Sequence, residues 1–573
     1  KNFESIYWLG LKKIRNGENT RYSITTAAMG PDMVAEIPEV KDHVILKPLG
    51  RTSLNKSENM FPANDLLVAS ESFFDVFSFE LLRGNGREVL KAPGSVVIIK
   101  TLAEKIFPGQ DPVGQTLSWR GSRVLTVTGI AEDPPKQSHI GFDAVVSFST
   151  LTDKKGSPPG WKRGYSYYTY LLFESNTSVK PVESKTNHLF NRKINKGNDW
   201  KYYPILEPMG DIYLRSELLY DFSKSGSIGH VYIFSAIGFF ILIIAAINFM
   251  NLTTALSLQR IREVGIRKIS GAHSKSIKKQ FLGESLILSL VALIASLMLI
   301  EAFMPYFNQL FGKHMTLYTS SNWLVLPFAA LTALLIGIGS SSYPAWHVSR
   351  FKPMVIIQKS MNDRRSKLSM RNILVIVQFV ISIGLIIGSI VIYSQNNYLM
   401  NKQVGYDKEN LVALWLDDEQ AVRKSELLRD QIVRHPGITH ATVASNYPAR
   451  GLTQNGYQPE GEDEYIMFHL LYVDHHYLNT LGLELKTGRN FDPSYSNDIH
   501  QVLINETLAR EMNWQNPLGK TLERNGTEFQ IIGVVQDFHF ESLHQPIGPV
   551  IFTLQPRKQC LLARIEGSRF KES

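Results

Sequence analysis

Four stretches of the chain lose their charged residues for long enough to matter. Val231–Leu252, Trp323–Tyr343 and Asn372–Gln395 contain no Asp, Glu, Lys or Arg. Ser285–Ile300 is shorter and continues past Glu301 to about Met304. Each is close to the roughly 20 residues that an α-helix needs to cross a hydrocarbon core of about 30 Å. The pattern predicts four transmembrane helices, at about 231–252, 285–304, 323–343 and 372–395. A buried core helix is the bland reading of any single run. Four together, with basic loops between them, favour spans.

Outside these runs the hydrophobic period changes from continuous to alternating. Val96–Ile99, Val124–Ile130 and Phe529–Val535 alternate β-branched residues and predict strands, whereas Leu102–Phe107 and Thr507–Met512 predict short helices before a Pro-Xaa-Gly turn. The same order occurs twice. Ser72–Asn85 matches His476–Arg489, residues 96–117 match 501–522, and 127–135 match 531–539, with Gly129 on Gly533 and Asp133 on Asp537. Three matches in one order indicate duplication of a whole domain rather than a solenoid array. The fold class expected is therefore an α-helical transmembrane bundle carrying two duplicated mixed α/β extracytoplasmic domains.

Charge fixes the orientation. The chain of 573 residues has a net charge of +9. The segments Thr253–Gly283 and Pro344–Asn372 alone hold 14 basic residues against 2 acids, Glu263 and Asp363, so the remainder is slightly acidic. Lys and Arg beside a span resist translocation, which places both segments in the cytoplasm and both α/β blocks outside. The positive excess follows topology, so nucleic acid is not an expected partner. The lipid bilayer is, since anionic headgroups attract cations near the surface. The mean hydropathy of −0.08 averages these two unlike populations. With Cys560 as the single cysteine, no intramolecular disulfide can form.

The expected domains are an outside block at 1–228, a permease segment at 229–371 with its cytoplasmic loop at 253–283, a fourth span at 372–395 and a second outside block at 396–573. If the duplication includes the membrane part as a one-plus-three unit, a span is expected before Lys1 and three are expected after Ser573.

The loop at 260–281 is the most informative stretch. Ile261, Val264, Ile266, Ile269 and Ile277 recur at mostly helical spacing among cations, an amphipathic pattern that Gly265 and Gly271 are expected to interrupt. Gly271 is the expected end of one helix, with the next starting after Ala272-His273-Ser274. A membrane-surface helix without a partner is the competing reading.

No chemistry is legible elsewhere. Gly519-Lys520-Thr521 ends like a phosphate loop, but Trp514 stands where its first glycine is needed. Gly109 and Gly114 have the right spacing, but Gln115 replaces the lysine. His475-His476 and the pair His539 and His544 lack a carboxylate or Cys cluster at metal-ligand spacing. No catalytic residues, cofactor or metal are expected.

REVGIRKISGA (262–272) followed by QFLGESLILSL (280–290), SSYPAWHVSRFKP (341–353), and QFVISIGLIIGSIVIYSQNNYL (378–399) leading to VGYDKENLVAL (404–414) resemble the MacB/FtsX-type ABC transporter permeases, in the tandem form with two extracytoplasmic core domains. The resemblance covers essentially the whole chain. It implies a bacterial inner-membrane, multi-pass permease subunit without catalytic activity, driven by a separate cytoplasmic ABC ATPase. It further implies coupling residues Glu263, Gly265, Arg267, Lys268, Gly271 and Ala272. A periplasmic adaptor or outer-membrane partner is a further implied contact. Three rivals remain open: an ATPase-linked regulator of an outside enzyme that transports nothing, a receptor without an ATPase, and an outside hydrolase. Cargo and oligomeric state are not legible.

Overall fold

The computed structural model describes residues 2–567 except 16–17, 58, 120–122, 136–137, 153–159, 162–163, 176, 197–200, 217, 220, 223–225, 313–314, 318–322, 350–369, 417–418, 449, 463–464, 544 and 555–558. Most of the second basic loop, with Lys313 and His544, lies outside the described residues. Contacts divide the chain into two units, 228–400 and the two α/β blocks at 1–227 and 401–573.

In the second block, strand Gln501–Asn505 is buried along its whole length, as a strand covered on both faces must be. It runs parallel to Thr527–Val535 and antiparallel to Val550–Leu554. The sheet continues through Ile466–Val473 and Thr453–Pro459 to Thr521–Arg524, which pairs back onto Thr527–Val535 and closes the ring. Leu485–Gly488 lies on its flank. A separate three-stranded sheet orders Leu411–Trp415, Cys560–Ile565 and Ile438–Ala444.

The first block repeats this plan strand for strand. Ser95–Ile99 is parallel to Arg123–Ala131 and antiparallel to Ala144–Ser147, followed by Asn59–Ala69 and Val40–Lys56. Thr116–Trp119 bridges Val40–Lys56 and Arg123–Ala131, closing the ring as its counterpart does. Here the strand Val40–Lys56 is continuous and extends the same sheet beyond the ring, through Tyr168–Phe173 to Ile6–Arg15 and Lys201–Pro208.

Equivalent details agree. After a bulge, Val97 pairs with Gly129 and Leu503 with Gly533. A Cβ on Gly533 would lie 2.7 Å from the Arg489 carbonyl oxygen, and one on Gly129 2.9 Å from that of Arg83, so neither strand tolerates a side chain there. Val96 therefore corresponds to Val502 rather than Gln501, with one residue fewer in the following turn. The two phosphate-loop look-alikes are these turns. Gly114 and Gly519 share a φ of +85°, and their N–H groups donate to Val127 and Ile531.

In unit 228–400 the four apolar runs are four helices long and apolar enough to cross a membrane. They are Ile228–Gln259, Ser274–Phe311, Val325–Ser349 and Met370–Asn401, all longer than the runs themselves. Helix Val325–Ser349 packs against the first two. Small residues allow the approach: a Cβ on Gly337 would lie 2.5 Å from Ser289 Oγ, while Ser285, Ser340, Ser341 and Ala345 are buried. Most other side chains of these helices point outward and are apolar, as a lipid-facing surface requires.

Candidate functional site: the basic turn between the first two spans

The segment at 260–281 is helical for most of its length. Helix Ile261–Ile269 has Glu263 in its first turn and Arg267 and Lys268 in its last, each complementing the helix dipole. Gly265 lies inside this helix, buried, and does not interrupt it. Gly271 does end it. With φ of +94° it allows the Gly271 N–H to reach the Lys268 carbonyl (3.1 Å) and the Ala272 N–H to reach that of Arg267 (2.9 Å), a Schellman turn. The next helix begins at Ser274.

The turn folds the short helix back on the start of the second span. Val264 and Ile277 are buried together, with Phe281 against them. Ile266 and Ile269, expected in the same apolar stripe, instead face away and are 65% and 66% exposed. One face of a nine-residue helix is narrow, and among its described side chains Val264 is the apolar one that packs in the seam.

Charge ties the two helices together beside that seam. Arg267 donates to Glu263 (2.6 Å) and to Gln280 Oε1 (2.9 Å). Gln280 donates to Glu284 (3.1 Å), which also accepts from Arg260 (2.9 Å). Of the six expected residues, Glu263 and Arg267 thus pair directly, and Gly271 and Ala272 build the turn. Gly265 sits where the short helix is buried, and Lys268 lies on its half-exposed flank. Gln280 and Glu284 were not legible as site residues. Their spacing of four on one helix face was the available signal.

Comparison with known proteins gives this geometry a context. Residues 235–353 match the FtsX-like permease C-terminal family, and residues 12–189 and 373–557 match the MacB-like periplasmic core domain. The chain belongs to the MacB/FtsX-type permease family. Its relatives include the Macrolide export ATP-binding/permease protein MacB of Pasteurella multocida, 23% identical over 335 residues, covering 57% of this chain and 47% of that protein. The MacB of Bdellovibrio bacteriovorus is 25% identical over 318 residues, covering 53% and 44%. This MacB/FtsX-type chain spans less than half the length of these two relatives. Among solved structures, the periplasmic region of MacB from Actinobacillus actinomycetemcomitans is similar at 15% identity over 37% of this chain and 91% of that one, with a TM-score of 0.27.

Proposed function

We propose that the chain is a permease of an ATP-driven complex in a bacterial inner membrane, with both α/β blocks on the periplasmic side. ATP hydrolysis belongs to a separate cytoplasmic ATPase. Its motion enters through Glu263, Gly265, Arg267, Lys268, Gly271 and Ala272 and moves the spans and the outer domains, expelling or extracting a substrate.

The observation that carries this reading is the bracing of the basic turn. Arg267 bonds both within the short helix and across to Gln280, and Arg260 bonds across to Glu284. A force on the short helix is therefore passed to the start of the second span instead of bending the turn. Family membership supports the permease role, and the placement of cations beside the spans supports the cytoplasmic side.

The test is co-purification with a cytoplasmic ABC ATPase co-expressed with the permease. Charge reversal at Arg267 and Lys268 is expected to abolish recovery of the ATPase while the permease still inserts. Undiminished recovery would remove the coupling assignment. A regulatory role without transport predicts normal recovery of the ATPase but no movement of any cargo in reconstituted vesicles.

A further inference from the structure

Residues 402–410 lead from helix Met370–Asn401 to strand Leu411–Trp415 and contain no helix or strand of their own. They are nevertheless held to the second domain along most of their length. Val404 accepts from the His539 N–H (2.7 Å), and Asp407 donates its own N–H to the Leu481 carbonyl (2.8 Å). Tyr406 stacks edge-on against Phe538. Gly405 has φ of +85°, and a Cβ there would lie 2.7 Å from both the Asp537 carbonyl oxygen and Phe538 Cα.

Arg564 closes this joint from the side. Its Nη1 donates to the Asp407 carboxylate (2.6 Å) and the Glu409 carbonyl (3.0 Å). Nη2 donates to the carbonyls of Asp407 (3.0 Å) and Thr480 (2.7 Å), and Nε to Thr480 (3.1 Å). Thr480 and Leu481 end the short helix Tyr477–Leu481, whose last carbonyls have no partner within the helix. The planar guanidinium is suited to hold several acceptors at once, which a lysine ammonium on a flexible stem is not.

The duplicate domain meets the same requirement with a different residue. Asn2 stands four residues before strand Ile6–Arg15, as Asp407 does before Leu411. Its side-chain amide donates to the carbonyls of Asp75 (3.3 Å) and Val76 (3.2 Å), near the end of helix Phe73–Phe77, the counterpart of Tyr477–Leu481. In each domain, then, the incoming chain is fastened to the C-terminal carbonyls of the same short helix.

We propose that Arg564 and Gly405 form a latch that makes the incoming chain and the second domain one rigid body, so that movement arriving through residue 401 displaces the whole domain. Arg564 is in this sense a positioning residue. The proposal rests on the mechanotransmission reading above, but the latch itself can be tested without the ATPase.

In nanodiscs, spin labels at Asn401→Cys and Glu528→Cys, on a Cys560→Ala background, report the distance between incoming chain and domain. Arg564→Gln and Gly405→Ala break the latch from opposite sides. Each is expected to broaden the distance distribution and to speed amide exchange at Asp407 and His539 about tenfold, the loss of one net hydrogen bond's worth of protection. Amides of Ile531 and Val534 in the sheet should be unaffected. If Arg564→Gln also exposes those sheet amides, Gly405→Ala decides. Unchanged width and exchange in the variants would overturn the latch. With the ATPase and ATP added, wild-type displacement of label 528 relative to spin-labelled lipid headgroups of the nanodisc that persists in full in both variants would overturn its transmitting role. Absence of any ATP-driven displacement in the wild type would instead sink the mechanotransmission reading, and with it that role, while the exchange result still reports on the joint.

Discussion

Asp537 accepts hydrogen bonds from both the backbone N–H (2.9 Å) and the hydroxyl (2.8 Å) of Thr507, closing the first turn of helix Glu506–Glu511. Asp133 engages the N–H and hydroxyl of Thr101 in the same way in the first domain. In the second domain the carboxylate also accepts from Asn505 (2.8 Å) and Arg510 (3.2 Å). Asp537→Ala leaves these donors without an acceptor at a helix start, and should cost the second domain about 2–3 kcal/mol. Asp133→Ala, with fewer partners, should cost the first domain about 1 kcal/mol. Amide exchange of strands Gln501–Asn505 and Ser95–Ile99 measures the two separately. Equal losses would contradict the difference in partners.

Acid should weaken the first domain through His139. Burial pushes its imidazole down to about 4, with Nε2 3.2 Å from the Tyr170 hydroxyl. The unfolded chain titrates near 6.5, so between these values the unfolded state binds the extra proton. The stabilisation is complete above about pH 6.5 and is lost as the pH falls toward 4, by on the order of 3 kcal/mol. Thermal unfolding followed from pH 7.5 to 4.5 should show this slope, and His139→Gln should flatten it. A His139→Gln curve as steep as the wild-type one would assign the acid sensitivity elsewhere.

What the sequence made legible was local. Spans show as charge-free runs, the ring strands Arg123–Ala131 and Thr527–Val535 as alternation, and Gly271 as a helix stop because only glycine adopts its φ without strain. The repeat was visible for the same reason, since Gly129 and Gly533 mark bulges that admit no side chain. Contacts between distant positions were not legible. Arg564 and Thr480 are 84 residues apart, and the sheet of Leu411–Trp415, Cys560–Ile565 and Ile438–Ala444 is assembled from both ends of its domain. Nothing in the spacing of Val264, Ile266 and Ile269 told which would meet Ile277, because that choice depends on how the turn at Gly271 aims the second helix.

The approach of Gly337 to Ser289 offers a test of how the spans pack. A methyl group at 337 would overlap Ser289 Oγ, 2.5 Å away, and press on its Cβ at 3.1 Å. Gly337→Ala should therefore destabilise the pair of helices by about 1–3 kcal/mol. Ser289→Gly, which removes the obstructing atoms, should restore most of the loss when combined with it. The double-mutant cycle in detergent isolates the coupling between the two positions. Additive losses would mean that the helices are not in direct contact at this point in the membrane.

The exposed pair Ile266 and Ile269 distinguishes docking from bracing within the basic turn. Both project from the short helix away from the Val264–Ile277 seam, beside half-exposed Lys268. If the ATPase rests on this face, Ile269→Asp should reduce its recovery with the permease at least tenfold, because a buried apolar anchor is replaced by a charge that must be desolvated. Gln280→Ala should behave differently. It removes the cross-helix partner of Arg267 but nothing from the outer face, so binding should persist while ATP-driven movement of the spans weakens. Recovery of the ATPase and the ATP-dependent change in label distance between spans are read on the same samples. Loss of binding in Gln280→Ala with retention in Ile269→Asp would place the docking surface on the seam side and refute the assignment of this face.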